Sequence, residues 1–357
     1  QTSYTAGTFL FPIFALLYLM HSNPYDLDIG AVSAGAFEDL IENTPKRDTS
    51  LYLMSLYMHD FDGKGRNYPP EIRDTVRRFT EMFFREAMLF QISGGHMILV
   101  ADIKKDPDYE TSSMNLLEAF YEIYPKYRLD YKLVYTPMFD KLTRENEYVG
   151  FITYLHGQMT ENEFKIAKEE DVEKYLRHKY ILSEMTDIND KQNMDDERVE
   201  VYCQPVYNIN TGTYDTAEAL MRLRLPDTGM VFPDEFIPIA EQIRVIHTLT
   251  KIILSKTCRQ IRTFLDEGYA LKRISVNFSV YDIEEDDFCA SVEEIIKSSG
   301  ISFDKIAIEI TESQNERDYE LVKERLGMLK DSGIKFYLDD FGTGYSNLQK
   351  VFCRVLV

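Results

Sequence analysis

Beyond residue 198 the chain alternates strand-length apolar runs with helix-length amphipathic runs, and this alternation constrains the fold more than any other feature. Strand patterns fall over 199–207, 214–222, 273–279, 305–312 and 335–339. Amphipathic helical patterns fall over 233–246, 249–268, 286–299 and 317–332, the last ended by Gly333. The first two strands are joined by a turn at 210–213, and each later strand is reached through a helix. Such an order predicts a parallel sheet with crossover helices. This many units predicts an α/β fold of the (β/α)8 barrel type, preceded by an α+β region.

The last strand runs into Asp339-Asp-Phe-Gly-Thr-Gly344, where two adjacent carboxylates precede glycines that permit a tight backbone path. Neighbours on a strand point to opposite faces, so Asp339 and Asp340 share a site only where the strand breaks into loop. A paired carboxylate there is costly unless a cation or donors balance it. The plainer alternative is a polar loop with acidic helix caps. Three other strands favour the cation: Glu218, Asn277 and Glu309 each fall at or near a strand's carboxyl end. Catalytic residues of (β/α) barrels converge on that end. Three carboxylates and an amide oxygen would repel one another without a divalent ion, and magnesium or manganese suits such ligands. Asp340 would serve a second ion, and two ions clamp an in-line phosphoryl displacement. Arg222, four residues beyond Glu218, shares its face and offers a planar fork for phosphate.

Length and composition bound the rest. A chain of 357 residues with 44% hydrophobic content supports about two domains. Its net charge of -20 excludes a nucleic-acid polymer as partner but allows a small nucleotide held by metal ions and arginine. The 4 cysteines are scattered as in reduced cytosolic proteins, and no two of the 6 histidines are four apart as in a helical zinc site.

The apolar run 8–20 is too short to span a bilayer by itself. It is either a buried core helix or the last turns of a membrane helix, and the second is the expectation taken here. There follow a helix at 36–41, a strand at 50–58, a helix at 71–86 and a hairpin over 87–101 around Gly94-Gly95. A helix at 113–124 and strands near 131–135 and 149–155 complete an α+β unit. Residues 160–198 are highly charged, with a connecting helix to about 183 and a domain boundary within 186–196.

The first unit resembles the GGDEF (diguanylate cyclase) family over 23–157. Asp26-Leu-Asp-Ile-Gly-Ala-Val-Ser-Ala-Gly-Ala-Phe37 is similar to its opening motif, and Ser93-Gly-Gly-His-Met-Ile98 sits where Gly-Gly-Asp/Glu-Glu-Phe belongs. His96 and Met97 replace the acidic pair, which implies a domain that keeps the fold without cyclase chemistry and retains a possible GTP site. Asp60-Phe-Asp62 is either a remnant metal pair or a solvated loop.

The second unit resembles the EAL family, the cyclic di-GMP phosphodiesterases, over 199–350. The carrying motifs are Gln204-Pro205, Ala217-Glu-Ala-Leu-Met-Arg222, Phe236-Ile-Pro-Ile-Ala-Glu241, Ser275-Val-Asn-Phe-Ser279, Glu309-Ile-Thr-Glu312 and Asp339-Asp-Phe-Gly-Thr-Gly-Tyr-Ser346. The resemblance implies Glu218, Asn277, Glu309 and Asp339 as metal ligands, Asp340 toward the second ion, and Glu312 stabilising the Asp340 loop. It implies Arg222 on the substrate phosphate and Gln204 close to the nucleotide. Hydrolysis of cyclic di-GMP to pGpG follows as the expected activity, with a non-catalytic cyclic di-GMP sensor as the alternative and a homodimer through the EAL domain as the expected assembly. The family continues into strands bearing a Lys, an acidic ligand and a Gln, whereas this chain stops at Val357, and Lys350 follows the loop too closely to be that Lys. The expectation is therefore a piece of a longer protein, with little turnover by itself. Its expected layout is the end of a membrane segment at 1–22, a degenerate GGDEF-like domain at 23–159, a linker helix and hinge at 160–198, and an EAL domain at 199–357. Cytoplasmic domains tethered to the cell membrane are the matching location.

Overall fold

The computed structural model of the chain describes residues 25–26, 31–32, 51–58, 70–84, 87–93, 96–102, 104–125, 129–136, 139–142, 145–160, 163–311 and 319–339. The expectations for 8–20, the helix at 36–41, Asp60, Asp62, Glu312 and Asp340 lie outside those residues. No described helix is long and apolar enough to cross a membrane. The chain divides into two compact units, Gln1–Leu176 and Arg177–Val357.

In the first unit the strands are β1 (Tyr25–Asp26), β2 (Ala31–Val32), β3 (Leu51–Met58), β4 (Met88–Ser93), β5 (His96–Asp102), β6 (Leu129–Tyr135) and β7 (Glu163–Ile166). Its helices are α1 (Pro70–Phe83), α2 (Tyr109–Ile123), α3 (Glu145–Gln158) and the start of α4 (Glu169–Lys191). The sheet order is β1-β2-β4-β5-β3-β6-β7. Strand alternation sorts its side chains into two cores. Met54, Leu99 and Ala101 pack with Ile72 and Val76 of α1 and Phe120 of α2. Leu53, Ile98 and Val100 pack with Phe151 and Leu155 of α3 and Val172 of α4. The expected hairpin is present as antiparallel β4–β5. Met97, in place of an acid, is 3% exposed and belongs to the first of these cores.

One element differs in kind. Residues 149–155 were expected as a strand and are helical, within α3. The buried set Tyr148, Phe151, Ile152 and Leu155 repeats at the spacing of one helix face. Its tyrosine, valine, isoleucine and threonine content is β-prone, and helical packing overrides that preference. The charged stretch after it also differs, since β7 precedes α4 and α4 runs past residue 183 to Lys191.

In the second unit β8 (Val199–Asn208), β9 (Thr213–Leu225) and the short β10 (Gly229–Val231) form an antiparallel group. Next come α5 (Pro233–Gln242), α6 (Ile246–Asp266), β11 (Arg273–Phe278), α7 (Val280–Ile283), α8 (Phe288–Ser298), β12 (Ile306–Thr311), α9 (Tyr319–Asp331) and β13 (Lys335–Asp339). Strands β9, β11, β12 and β13 are parallel neighbours. The described strands make an open six-stranded sheet in the order β10-β9-β11-β12-β13, with β8 on β9. This is the mixed α/β class expected; among the described residues the sheet does not close into a barrel. One face carries Ala219, Met221, Val276, Phe278, Ile308 and Ile310, which join residues of α5, α6, α8 and α9 in a single core.

The acidic stretch ahead of β8 is held by one arginine. Arg198 meets Asp196 at 2.7 Å, Glu184 at 2.8 Å and Asp187 at 2.8 Å. These carboxylates hold its guanidinium further above its ordinary range, Asp196 most of all. Lys256 of α6 donates to the carbonyls of Asp196 (2.6 Å) and Val199 (2.7 Å), which fixes the entry of β8.

Candidate active site

Alternation sets Glu218, Arg222, Ser275, Asn277 and Glu309 on the opposite face of the second sheet, with Leu220 and Ala307 among them. Parallel register sets these residues side by side: Ser275 opposes Glu218, and Asn277 opposes Glu309. Tyr337 also opposes Glu309, and Asp339 opposes Thr311. Each step from one expected ligand to the next is zero or two residues, so Glu218, Asn277 and Glu309 share a face. Asp339 occupies the corresponding alternate position at the end of β13. On the antiparallel side Gln204 is directly opposite Glu218, and Glu200 is opposite Arg222.

Three of the four expected ligands sit near the end of a strand, but Glu218 does not. β9 continues to Leu225 because its far end pairs with β8 and β10. Only Thr216–Ala219 pairs with parallel β11, and Glu218 is near the end of that shorter ladder.

Asn277 is the centre of the arrangement. Its Nδ2 donates to Glu218 Oε1 at 2.8 Å. An ionised carboxylate only accepts, so this bond fixes which amide atom faces Glu218. The other atom, Oδ1, is buried and has no hydrogen-bond partner. An orphaned carbonyl oxygen costs about 1–3 kcal/mol. Asn277 lies on the strand between those of Glu218 and Glu309, in register with Glu309 and two residues beyond the partner of Glu218, and a bare amide oxygen beside carboxylates fits a hard divalent cation. Among the described residues no three His, Cys, Asp or Glu side chains cluster closely enough to hold a metal. The described donor set is Glu218, Asn277 and Glu309, with the side chains of Asp339, Asp340 and Glu312 outside it.

Arg222 is half-buried, with its guanidinium 5.9 Å from the Tyr202 ring centre and 5.4 Å from that of Phe232. Its Nη1 donates to the Met221 carbonyl at 2.8 Å. Stacked between aromatic faces, it keeps further N–H donors for an anion. Gln204 is exposed on β8. A cavity of about 220 Å³ lies beside Asn277, lined by Met221, Ile237, Glu241, Thr250, Phe278 and Ser279 among others. A wider hollow of about 590 Å³ along β8 contains none of the expected site residues.

The motif 236–241 carried no role in the sequence reading, yet Glu241 accepts a hydrogen bond from Ser279, two residues beyond Asn277. The sequence Ser279-x-x-Asp282 is a capping-box pattern, and both of its bonds form at the start of α7. That spacing was the available signal for this second layer.

Residues 189–353 match the model of the EAL domain family. The signaling protein YkoW of Bacillus subtilis is 29% identical over 188 residues, which cover 51% of this chain and 23% of that protein. The bifunctional diguanylate cyclase/cyclic di-GMP phosphodiesterase MucR of Pseudomonas aeruginosa is 31% identical over 158 residues, 44% of this chain and 23% of its own length. The chain thus spans about a quarter of the length of these curated relatives. The solved S helix-GGDEF-EAL portion of Vibrio cholerae LapD, bound to c-di-GMP, is similar in fold. Its TM-score is 0.50 at 9% identity, covering 98% of this chain and 84% of that one.

Proposed function

We propose that the protein of which this EAL domain is part hydrolyses one phosphodiester bond of cyclic di-GMP, giving linear pGpG. The observation that carries this reading is the buried, unpartnered Oδ1 of Asn277, a residue bonded to Glu218 and in register with Glu309. The name of MucR as a cyclic di-GMP phosphodiesterase supports the substrate.

In this reading Glu218, Asn277, Glu309 and Asp339 hold a magnesium or manganese ion, and Asp340 reaches a second. Bound there, the ions supply Lewis-acid polarisation of the phosphodiester and a water acidified toward neutral pH. Arg222 orients the phosphate with its free N–H groups, Gln204 contacts the nucleotide, and Glu312 steadies the loop that begins at Asp340. Asn277 also donates to Glu218, and so orients that carboxylate before substrate arrives.

The first unit is read as a GGDEF-like domain without cyclase chemistry. Support comes from the fold likeness to the LapD structure and from Met97, which is packed in the core rather than presented as an acid. GTP is its candidate ligand, a homodimer through the EAL domain its candidate assembly, and the cell membrane its candidate tether through the run 8–20.

The test is incubation of the full-length protein with cyclic di-GMP and magnesium or manganese, with pGpG measured by chromatography. Turnover in the wild type, lost in Glu218→Ala, is expected. Turnover that survives Glu218→Ala overturns the assigned role. Tight binding without turnover replaces the enzyme with a cyclic di-GMP sensor.

A further inference from the structure

The end of β11 is held from several sides by side chains of the helices around it. Ser279 is the first residue after the strand and caps α7 in extended conformation. Its hydroxyl donates to Glu241 Oε1 at 2.5 Å, a bond to the last turn of α5. Its backbone N–H donates to Asp282 Oδ2 at 2.7 Å, inside α7. The same carboxylate oxygen accepts from Thr250 Oγ1 of α6 at 3.1 Å. Three helices are thereby tied to a point two residues beyond Asn277, on the same alternate set of positions.

The bond from Ser279 to the Glu241 carboxylate is of the charge-assisted kind, stronger than a neutral one, and in a partly buried place such bonds resist rotation of the groups they join. Rotation of the strand end is what would turn the Asn277 amide. Its carbonyl oxygen has no partner of its own to hold it. Only the bond to Glu218 and the path of the backbone set its direction.

We propose that Glu241 is a positioning residue for the metal site: by holding Ser279 it fixes the twist at the end of β11 that aims Asn277 Oδ1 at the cation. This rests on the functional reading above. The outer contacts of a metal site orient the ligating groups, and their loss costs on the order of 10–100-fold in metal affinity. Glu241 would touch neither metal nor substrate.

The experiment is titration of the full chain with Mn2+, free ion being counted by electron paramagnetic resonance, without nucleotide. Five proteins are compared: wild type, Glu241→Ala, Glu241→Gln, Asn277→Ala and the double variant Glu241→Ala/Asn277→Ala, with melting temperature recorded for each. Glu241→Ala should weaken Mn2+ binding about 10-fold. Glu241→Gln keeps a carbonyl acceptor for the Ser279 hydroxyl and should restore binding to within about 3-fold. Combining Glu241→Ala with Asn277→Ala should add little beyond Asn277→Ala alone, since both act through one ligand. A loss of affinity in Glu241→Ala that Gln does not restore, or that adds in full to Asn277→Ala, overturns the proposal. So does unchanged Mn2+ affinity in Glu241→Ala while the wild type binds. Absence of Mn2+ binding in the wild type removes the functional reading itself, a result distinct from the others.

Discussion

Asn277 donates to Glu218 across 2.8 Å, and the same bond leaves the amide oxygen of Asn277 buried without a partner. The pair is satisfied on one side only. A protein that keeps such a defect in its core sheet gains little from it unless something else completes the set.

Replacing the amide by a carboxylate tests this asymmetry. Asn277→Asp removes the donor to Glu218 and sets two negative charges together. Without divalent ions the variant should lose about 1–3 kcal/mol of stability, the range for a buried polar group left unsatisfied. Magnesium should restore more stability to the variant than to the wild type. Urea unfolding with chelator and with magnesium measures both. Equal magnesium effects on the two proteins contradict the cation site.

Asp282 gives a pH dependence of defined sign. Burial pushes its carboxyl from the ordinary 3.8 up to about 7, partly offset by the bonds from Ser279 and Thr250 and reinforced by Glu241 and Glu285. Between those pH values the folded chain holds a proton that the unfolded chain has released. Stability from this group is therefore full below about 3.8 and declines as pH rises toward 7. The decline is on the order of 4 kcal/mol at about 1.36 kcal/mol per pH unit. Asp282→Asn keeps an acceptor for Ser279 and Thr250 and should flatten that slope. Stability curves at several pH values between 4 and 8 decide it, and an unchanged slope in the variant rules Asp282 out as the source.

Arg198 serves three carboxylates, of which Asp196 is 6% exposed. Arg198→Ala leaves Asp196 buried without its cation. Breaking a buried pair costs about 3–5 kcal/mol. Solvent reaches Glu184 and Asp187, so about 2–3 kcal/mol is expected here. Chemical denaturation of the variant measures it, and a loss below about 0.5 kcal/mol, as for ordinary surface changes, would show that the cluster does not hold β8.

Gly150 tests packing in the first unit. A methyl group there would press on the Tyr175 hydroxyl. Tyr175 is confined by Phe151 and Tyr154, with ring centres 5.6 and 5.7 Å away. Gly→Ala in a helix interior ordinarily stabilises by about 1 kcal/mol. Overpacking a fixed neighbour costs about 1–3 kcal/mol. The clash should win, so the melting temperature of Gly150→Ala should fall; a rise would show that Tyr175 yields freely.

The alternation after residue 198 was legible because strand and helix periods differ and each run is bounded by turn residues. Asn277 and Glu309 were legible as polar residues within apolar strands, where a structural reason for polarity is hard to find. Register was not. The meeting of Glu218 with Asn277 depends on a two-residue stagger between β9 and β11 that neither strand encodes alone. Residues 149–155 misled because β-branched and aromatic residues fill a helix whose buried face shows only in Tyr148, Phe151, Ile152 and Leu155. β7 was missed because four residues of half-exposed, mixed polarity carry no period of their own. The Ser279–Asp282 contact is legible as a capping-box spacing, but Glu241 lies 38 positions from Ser279, so no local pattern joins it to them.

Crystals of the chain soaked in manganese and measured at its absorption edge test the central claim most directly. An anomalous peak at metal–oxygen bonding distance, roughly 2.1–2.3 Å, from Asn277 Oδ1, bounded by carboxylate oxygens of Glu218 and Glu309, is the predicted result. Manganese bound elsewhere with none at Asn277 would contradict the account.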